Sequence, residues 1–162
     1  MEGCEVMRKQ FYSVVLILVI VAVAGCSEKN PFGTAKVTGN VMVDGSPMSE
    51  VTVSFQPVSG DGMTAVGLTD ANGKFVLTTG GAPFGSGAVP GEYHVTFFKQ
   101  VVPEKYKTSS PEEFMQKFGI MEIPYEHPVP LKYHSSKTSG VEPVSVEKSE
   151  KNNFEFLLKT RD

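Results

Sequence analysis

Hydrophobic and polar residues alternate with a period of two along most of the chain beyond Lys36. Because successive side chains of a β-strand point to opposite faces, this alternation predicts strands with one buried face. Turn-forming segments such as Asp44–Pro47 ("DGSP") and "DANG" separate the runs. Seven short strands, and hence an all-β antiparallel sandwich, are expected. They are marked by Val37, Gly39, Val41 and Val43; Val51, Val53 and Phe55; Val66 and Leu68; Phe75 and Leu77; Tyr93, Val95 and Phe97; Val144 and Val146; Phe154, Phe156 and Leu158.

One segment, Ser109–Gly119 ("SSPEEFMQKFG"), departs from this alternation and predicts a short helix. Phe114 and Phe118 are four residues apart, so they share a face that we expect to pack onto the sandwich. The helix lies in a long, proline-rich insertion, residues 101–140, which predicts either a functional segment or a structured cover over the core. The capping signals are Ser110 as N-cap, Pro111 at the first position, Glu113 completing a capping box and Gly119 as stop.

The N-terminus has the pattern of an export signal. Arg8 and Lys9 precede an apolar run, Phe11–Gly25, that carries no charge. This run is shorter than the roughly 18 to 20 residues that a membrane-spanning helix needs, and it suits the apolar region of a signal peptide. Residues 1–25 are therefore predicted to be a signal peptide.

The end of this run resembles the bacterial lipobox, because Val23, Ala24 and Gly25 precede Cys26. The resemblance implies that the Cys26 thiol receives a diacylglyceryl group, that a peptidase cuts before it and that the new amine is acylated, so palmitate should label it. Residues 26–34 would form a short tether, and residues 35–160 the folded domain. Ser27 after the cysteine favours the outer membrane by the same resemblance, and an ordinary signal peptide with an incidental cysteine is the alternative.

Composition limits the partners and the means of stabilisation. The 162-residue chain has a formal net charge of -3. Removing residues 1–25 does not change this charge, because the segment contains two acidic residues, Glu2 and Glu5, and two basic residues, Arg8 and Lys9. This unclustered charge provides no surface for nucleic acid. Cys4 lies in the predicted signal peptide, so the mature chain would hold Cys26 alone and no disulfide.

Candidate reactive groups do not combine into a familiar catalytic motif. The stretch Thr69–Phe75 begins like a calcium loop but lacks its later ligands, and a turn explains its residues better. His94, His127 and His134 show no zinc-protease spacing, although Glu126 could join the last two in a metal site. No G-x-S-x-G motif occurs, and the Gly-rich loop before Tyr93 fits a flexible connector. We therefore predict no catalytic, cofactor-binding or metal-binding residue.

Four stretches together resemble the carboxypeptidase regulatory-like domain: "VTGNVMVDGSPMSEVTVSFQP", "GLTDANGKFVLTT", "VPGEYHVTFFK" and "NNFEFLLK". The resemblance covers about Ala35–Lys159, includes the segment from Pro130 to "SSKTSG", and implies a transthyretin-like sandwich of the prealbumin type. In metallocarboxypeptidases this module is an accessory to the catalytic domain. Transthyretin-like hydrolases use paired histidines, an arginine and a C-terminal Tyr-Arg-Gly-Ser, whereas this chain ends "LLKTRD" with Arg161 as its sole mature arginine.

Three hypotheses of function follow from the sequence. The first is a lipid-anchored cell-envelope protein whose sandwich is a non-enzymatic structural or protein-interaction module. The second is a glycan- or peptide-binding module that uses the insertion at residues 101–140. The third is a metal-dependent enzyme using Glu126, His127 and His134. The partners are then the membrane, through lipid on Cys26, and an envelope protein or glycan that the sequence does not identify.

Overall fold

The computed structural model describes residues 31–108, 110–119, 122–148 and 152–161. The predicted signal peptide, Cys26 and the tether before Pro31 lie outside the described residues. Contacts divide the chain into two units, Met1–Pro31 and Phe32–Asp162, and the second is described here. Within the described residues, no helix has both the length and the apolar character needed to cross a bilayer.

The described residues form a predominantly β structure. It contains one α-helix, α1 (Pro111–Phe118), and two 3-10 helices, Glu104–Tyr106 and Leu131–His134. All seven predicted strands are present, together with two further strands of two residues each, β2 and β6. The strands are β1 (Val37–Val43), β2 (Ser46–Pro47), β3 (Thr52–Pro57), β4 (Ala65–Leu68), β5 (Lys74–Val76), β6 (Thr78–Thr79), β7 (Gly91–Phe98), β8 (Val144–Val146) and β9 (Asn152–Leu158).

Strand β1 is the centre of the first sheet, named here the β1 sheet. Strands β2 and β5 pair with it antiparallel at its two ends, Met42–Val43 and Thr38–Asn40. Strand β9 pairs with β1 along its whole length and parallel to it, from Val37 opposite Asn152 to Val43 opposite Leu158. The expectation of a wholly antiparallel sandwich was therefore wrong at this pair. The reason is topological: β8 belongs to the other sheet, so the chain enters β9 after a change of sheet rather than through a hairpin.

The second sheet, named here the β3 sheet, has the strand order β6-β4-β3-β7-β8 and is antiparallel throughout. The chain passes directly from one sheet to the other between β5 and β6. Leu77 lies at this bend, fully buried, and its amide donates to the Val37 carbonyl oxygen (3.0 Å). This crossing closes one corner between the sheets.

The core lies between the two sheets and is rich in phenylalanine. Phe55 and Phe97 of the β3 sheet meet Phe156 of the β1 sheet, with ring centroids 6.3 and 4.9 Å apart. Gly39 lies at the middle of β1, where a Cβ atom would be 2.5 Å from the tip of the Phe75 ring. A glycine is therefore required here for packing, since it lets an aromatic ring lie against the backbone. These contacts confirm the predicted all-β sandwich.

The helix within the insertion forms as predicted. The Ser110 hydroxyl accepts a hydrogen bond from the Glu113 amide (3.2 Å), and Gly119 ends the helix with a left-handed φ of 65°. The aromatic face of α1 packs differently from the expectation. Phe114 and Phe118 contact the ring of Tyr106, also in the insertion, at 6.3 and 5.1 Å, and Phe114 lies outside the sandwich core cluster.

The second half of the insertion joins the sandwich core. Val129 is fully buried and Tyr133 is 6% exposed, and both belong to the core cluster. The Tyr133 ring meets Phe97 edge-on at 6.4 Å. Its hydroxyl accepts from the Lys159 amide (3.0 Å) and donates to the Lys159 carbonyl (3.4 Å). This half is a structured cover over the core, one of the two roles expected for the insertion.

Candidate functional site

An exposed apolar surface lies on the outer face of the β3 sheet. The two apolar residues that mark β4, Val66 and Leu68, point outward, while Ala65 and Gly67 occupy the buried face. Leu68 on β4 and Phe98 on β7 both lie directly opposite Thr52 of β3. All three positions therefore form one row across the sheet, and the side chains of Leu68 and Phe98 are exposed.

A groove of about 960 Å³ runs along β4, between this face and the bend that joins β5 to β6. We name it the β4 groove. Its charged lining residues are Asp70 and Lys74, of opposite sign and at the same turn, so the lining has no net charge. The remaining lining residues are apolar, small or hydroxyl-bearing: Thr52, Val66, Gly67, Leu68, Thr69, Phe75, Val76, Thr78, Ala82 and Phe84.

Phe84 is the most exposed large hydrophobic residue of the described chain, at 91%. It lies in the Gly-rich loop between β6 and β7. Threonines hold this loop: the Thr78 hydroxyl accepts from the Gly85 amide (2.9 Å), and the Thr79 hydroxyl donates to the Gly87 carbonyl (2.8 Å). Gly85 and Gly87 both have positive φ. These hydrogen bonds and glycine conformations fix the course of the loop and hold the Phe84 side chain in solvent.

The turn at one end of the groove confirms the turn interpretation of "TDANGKF". One carboxylate oxygen of Asp70 accepts from the amides of Asn72 (2.8 Å) and Lys74 (2.9 Å). Gly73 has a φ of 74°, which a glycine adopts without strain. This carboxylate oxygen thus stabilises the turn.

Two of the three histidines come together in the insertion. The rings of His127 and His134 are 5.4 Å apart, and the His134 ring lies 4.9 Å from Phe98 on the β3 sheet. Burial lowers the pKa of His134 below its ordinary value, and His127 lowers it further, while a hydrogen bond with the Val129 backbone opposes both. The His134 Nε2 atom is buried without a hydrogen-bond partner in the described part of the chain.

The predicted alternative of a metal site from Glu126, His127 and His134 is not assembled in the described residues, where no cluster of three possible ligands occurs. Glu126 pairs through its backbone with Val101, at 2.9 Å in both directions. His94 lies elsewhere, on the outer face of β7 opposite Gln56. The histidine pair consequently packs against the sheet without a third ligand among the described residues.

Reasoning from the sequence missed Phe84 as a surface residue, because most aromatic residues of the chain fall on buried strand positions. A signal was present nonetheless. Phe84 lies between a proline and a glycine in a stretch, residues 75–91, that contains no charged side chain. An aromatic residue in such a loop has no strand face on which to be buried.

Comparison with known proteins adds a distant structural neighbour. No protein-family model and no curated protein matches the chain. Among solved structures, a candidate adhesin from Bacteroides ovatus ATCC 8483 is 17% identical with a TM-score of 0.39, and the match covers 85% of this chain and 49% of that protein. The chain therefore spans about half the length of that protein. At this TM-score the likeness carries no argument about activity, and the resemblance to the carboxypeptidase regulatory-like domain stays a prediction.

Proposed function

We propose that this chain is a lipid-anchored interaction module of the cell envelope, without enzymatic activity, that binds an uncharged apolar segment of a partner protein in the β4 groove. The observation that carries the proposal is the row formed by Leu68, Thr52 and Phe98 on the outer face of the β3 sheet, where Leu68 is 62% exposed and Phe98, beside His134 of the insertion, is 43% exposed. Large apolar side chains in a connected exposed patch are typical of interaction sites.

The chemistry of the groove favours an apolar protein segment over a charged ligand. The charges of Asp70 and Lys74 balance each other, and the apolar side chains of Val66, Leu68 and Val76 line the groove. Removing one exposed valine or leucine side chain from water contributes about 1.5–3 kcal/mol. A partner segment that fills the groove and covers Val66 and Leu68 would therefore be stabilised enough to make these two residues the energetic centre of an interface.

The lipid anchor and the compartment are part of the same proposal. The small residues before Cys26, the uncharged run and the positive residues at its start support modification at this cysteine. Two or three acyl chains anchor firmly, since each buried methylene contributes about 0.8 kcal/mol. The outer membrane is the favoured location, with the domain, of the carboxypeptidase regulatory-like type, facing the periplasm or the exterior.

Glycan or peptide binding by the insertion at residues 101–140 is the competing proposal. Val129 and Tyr133 of that segment are buried in the core, so only α1 and its surroundings are available for binding. A smaller cavity of about 330 Å³ lies there, lined by Pro111, Glu112, Phe114, Met115 and Ile123. The β4 groove is larger and adjoins the exposed Val66 and Leu68 side chains, so the observations favour it.

A matched pair of leucines can test the binding surface. Leu68 and Leu131 are each 62% exposed, the first in the β4 groove and the second in the insertion. Tagged full-length Leu68→Asp, Leu131→Asp and unmodified chains would be captured from envelopes after chemical crosslinking, and partners compared by quantitative mass spectrometry. Loss of a hot-spot contact should cost about 2 kcal/mol or more, roughly a thirtyfold loss of affinity.

The outcomes separate the two surfaces. A partner that is lost with Leu68→Asp and retained with Leu131→Asp supports the β4 groove. The reverse pattern, or a glycan-array signal abolished by Leu131→Asp alone, would assign binding to the insertion. A partner that both variants retain equally would overturn the groove as the binding site. Far-UV circular dichroism of each variant controls for folding.

A further inference from the structure

The point at which the tether enters the domain lies against the Gly-rich loop. Ala35 and Ala88 exchange two backbone hydrogen bonds, 2.7 and 3.0 Å long, and so pair the start of the domain with the end of this loop. Phe32, just before, is partly buried and its ring lies beside Gly81. The chain that leads back to Cys26 therefore leaves the domain next to the loop that displays Phe84.

Two other exposed hydrophobic residues lie at this same end. Val58 and Met63 are both exposed, in the loop that joins β3 to β4. The Val58 amide bonds to the Glu92 carbonyl at the start of β7 (3.0 Å), and the Gly80 amide reaches the Thr64 carbonyl (3.5 Å). These bonds join the two loops into one surface. We name the surface formed by Val58, Met63 and Phe84 the anchor-side end.

The anchor-side end has the chemistry of a surface that contacts lipid. The Gly-rich loop carries no charged residue, the loop between β3 and β4 carries Asp61, and Glu92 follows at the exposed start of β7. Phe84 also lines the β4 groove, and at 91% exposure nearly its whole surface is open to water and can contact lipid. The free energy of the system falls when an exposed aromatic ring and neighbouring aliphatic side chains enter the boundary between lipid headgroups and acyl chains.

Covalent geometry limits how far this end can lie from the membrane. Cys26 precedes Phe32 by six residues, which span at most about 3.6 Å each, or roughly 20 Å in total. A lipid on Cys26 would hold Phe32, which lies beside the Gly-rich loop, within this distance of the bilayer. Such a short reach raises the local concentration of membrane around Phe84 without any further binding partner.

We propose that the anchor-side end rests on the lipid bilayer, with Phe84 inserted into the interfacial region. The occupant of this surface is the membrane itself rather than a protein. This inference rests on the lipid anchor at Cys26, which belongs to the proposed function. It adds an orientation: the sandwich stands on the bilayer on the end that carries the Gly-rich loop. Leu157 lies near the C-terminal end of β9, at the opposite end of the sandwich, and so faces away from the lipid.

The absence of tryptophan from the chain allows a direct test. Phe84→Trp and Leu157→Trp each introduce a single fluorophore at an exposed site, 91% and 64% accessible respectively. The full-length, lipid-modified variants would be reconstituted into vesicles of phosphatidylethanolamine and phosphatidylglycerol that contain a bromine-labelled phospholipid. Mass spectrometry of the same samples would establish whether Cys26 carries lipid. Met63→Trp serves as a second reporter at the anchor-side end if Phe84→Trp does not fold.

The proposal predicts that the indole emission of the Phe84→Trp variant moves to shorter wavelength in vesicles. Bromine should quench this emission severalfold more than it quenches the emission of the Leu157→Trp variant. If the chain carries lipid and binds vesicles, yet the Phe84→Trp emission stays that of a water-exposed indole, the orientation is overturned while the anchor stands. Equal quenching in both variants would also overturn it. An unmodified Cys26 would instead refute the anchor itself, and with it the premise of the inference.

Discussion

Tyr133 provides a sharp test of how the insertion is built, because one side chain connects it to both sheets. Its ring packs edge-on against Phe97 of the β3 sheet, and its hydroxyl bonds to the backbone of Lys159 after β9. The informative changes are Tyr133→Phe, which removes the hydroxyl, and Tyr133→Ala, which also removes the ring.

The structure sets different magnitudes for the two changes. Lys159 is exposed, so its amide can bond to water once the hydroxyl is gone, and Tyr133→Phe should lower the free energy of unfolding by about 1 kcal/mol. Tyr133→Ala leaves a cavity between the insertion and Phe97 and should cost about 3–5 kcal/mol, as for other buried aromatic residues replaced by alanine.

Urea unfolding followed by far-UV circular dichroism measures both values. Tyr125 is the matched control, since it lies in the same insertion but is 45% exposed. Tyr125→Phe and Tyr125→Ala should change the free energy of unfolding by no more than about 0.5 kcal/mol. If Tyr133→Ala cost as little as Tyr125→Ala, residues 129–134 would not belong to the core, and the insertion would again be available as a binding segment.

Three further predictions test other parts of the structure. Gly39→Ala should lower the free energy of unfolding by about 1–3 kcal/mol, because the new Cβ would collide with the Phe154 carbonyl and the Phe75 ring. Gly80 has open space around it, so Gly80→Ala should change this free energy by no more than about 0.5 kcal/mol in the same urea assay. Equal effects of the two changes would contradict the packing at Gly39. The lowered pKa of His134 means that the unfolded chain takes up its proton first, so stability should fall as pH drops from the ordinary value of 6.5 toward the lowered pKa. His134→Gln should make this pH dependence of thermal unfolding shallower, and an unchanged slope would refute the assignment. Hydrogen bonds from the Thr160 side chain and amide hold the pKa of Asp44 below its ordinary value, so Thr160→Val should raise that pKa in an NMR titration, and a constant value would contradict the bond.

The alternation of residues predicted the strands because period two is a local property of each segment. It could not identify partners, since a pattern that buries one face of β9 is satisfied by a parallel or an antiparallel neighbour. The same limit applies to β4, where the apolar Val66 and Leu68 point outward and the small residues Ala65 and Gly67 fill the core. Hydrophobicity alone would have assigned these faces the other way round.

The helix and its caps were predictable because the signals are confined to ten residues. The contact of Phe114 and Phe118 with Tyr106 was not, since it depends on how a long loop folds back. Likewise Tyr133 enters the core from an irregular segment that has no periodicity to reveal burial. The β4 groove exists because the chain changes sheet at Leu77, and no local sequence pattern predicts this change.

The measurement that bears most directly on the proposed function is the mass of the N-terminal peptide of the mature chain. After expression in a diderm bacterium and trypsin digestion, we expect a peptide Cys26–Lys29 that begins at Cys26 and carries a diacylglyceryl group and an amide-linked acyl chain. The Cys26→Ala variant should yield no lipid-modified peptide and should lose its attachment to the membrane. A mature chain with a free Cys26 thiol, or one cleaved at another position, would contradict the lipid anchor.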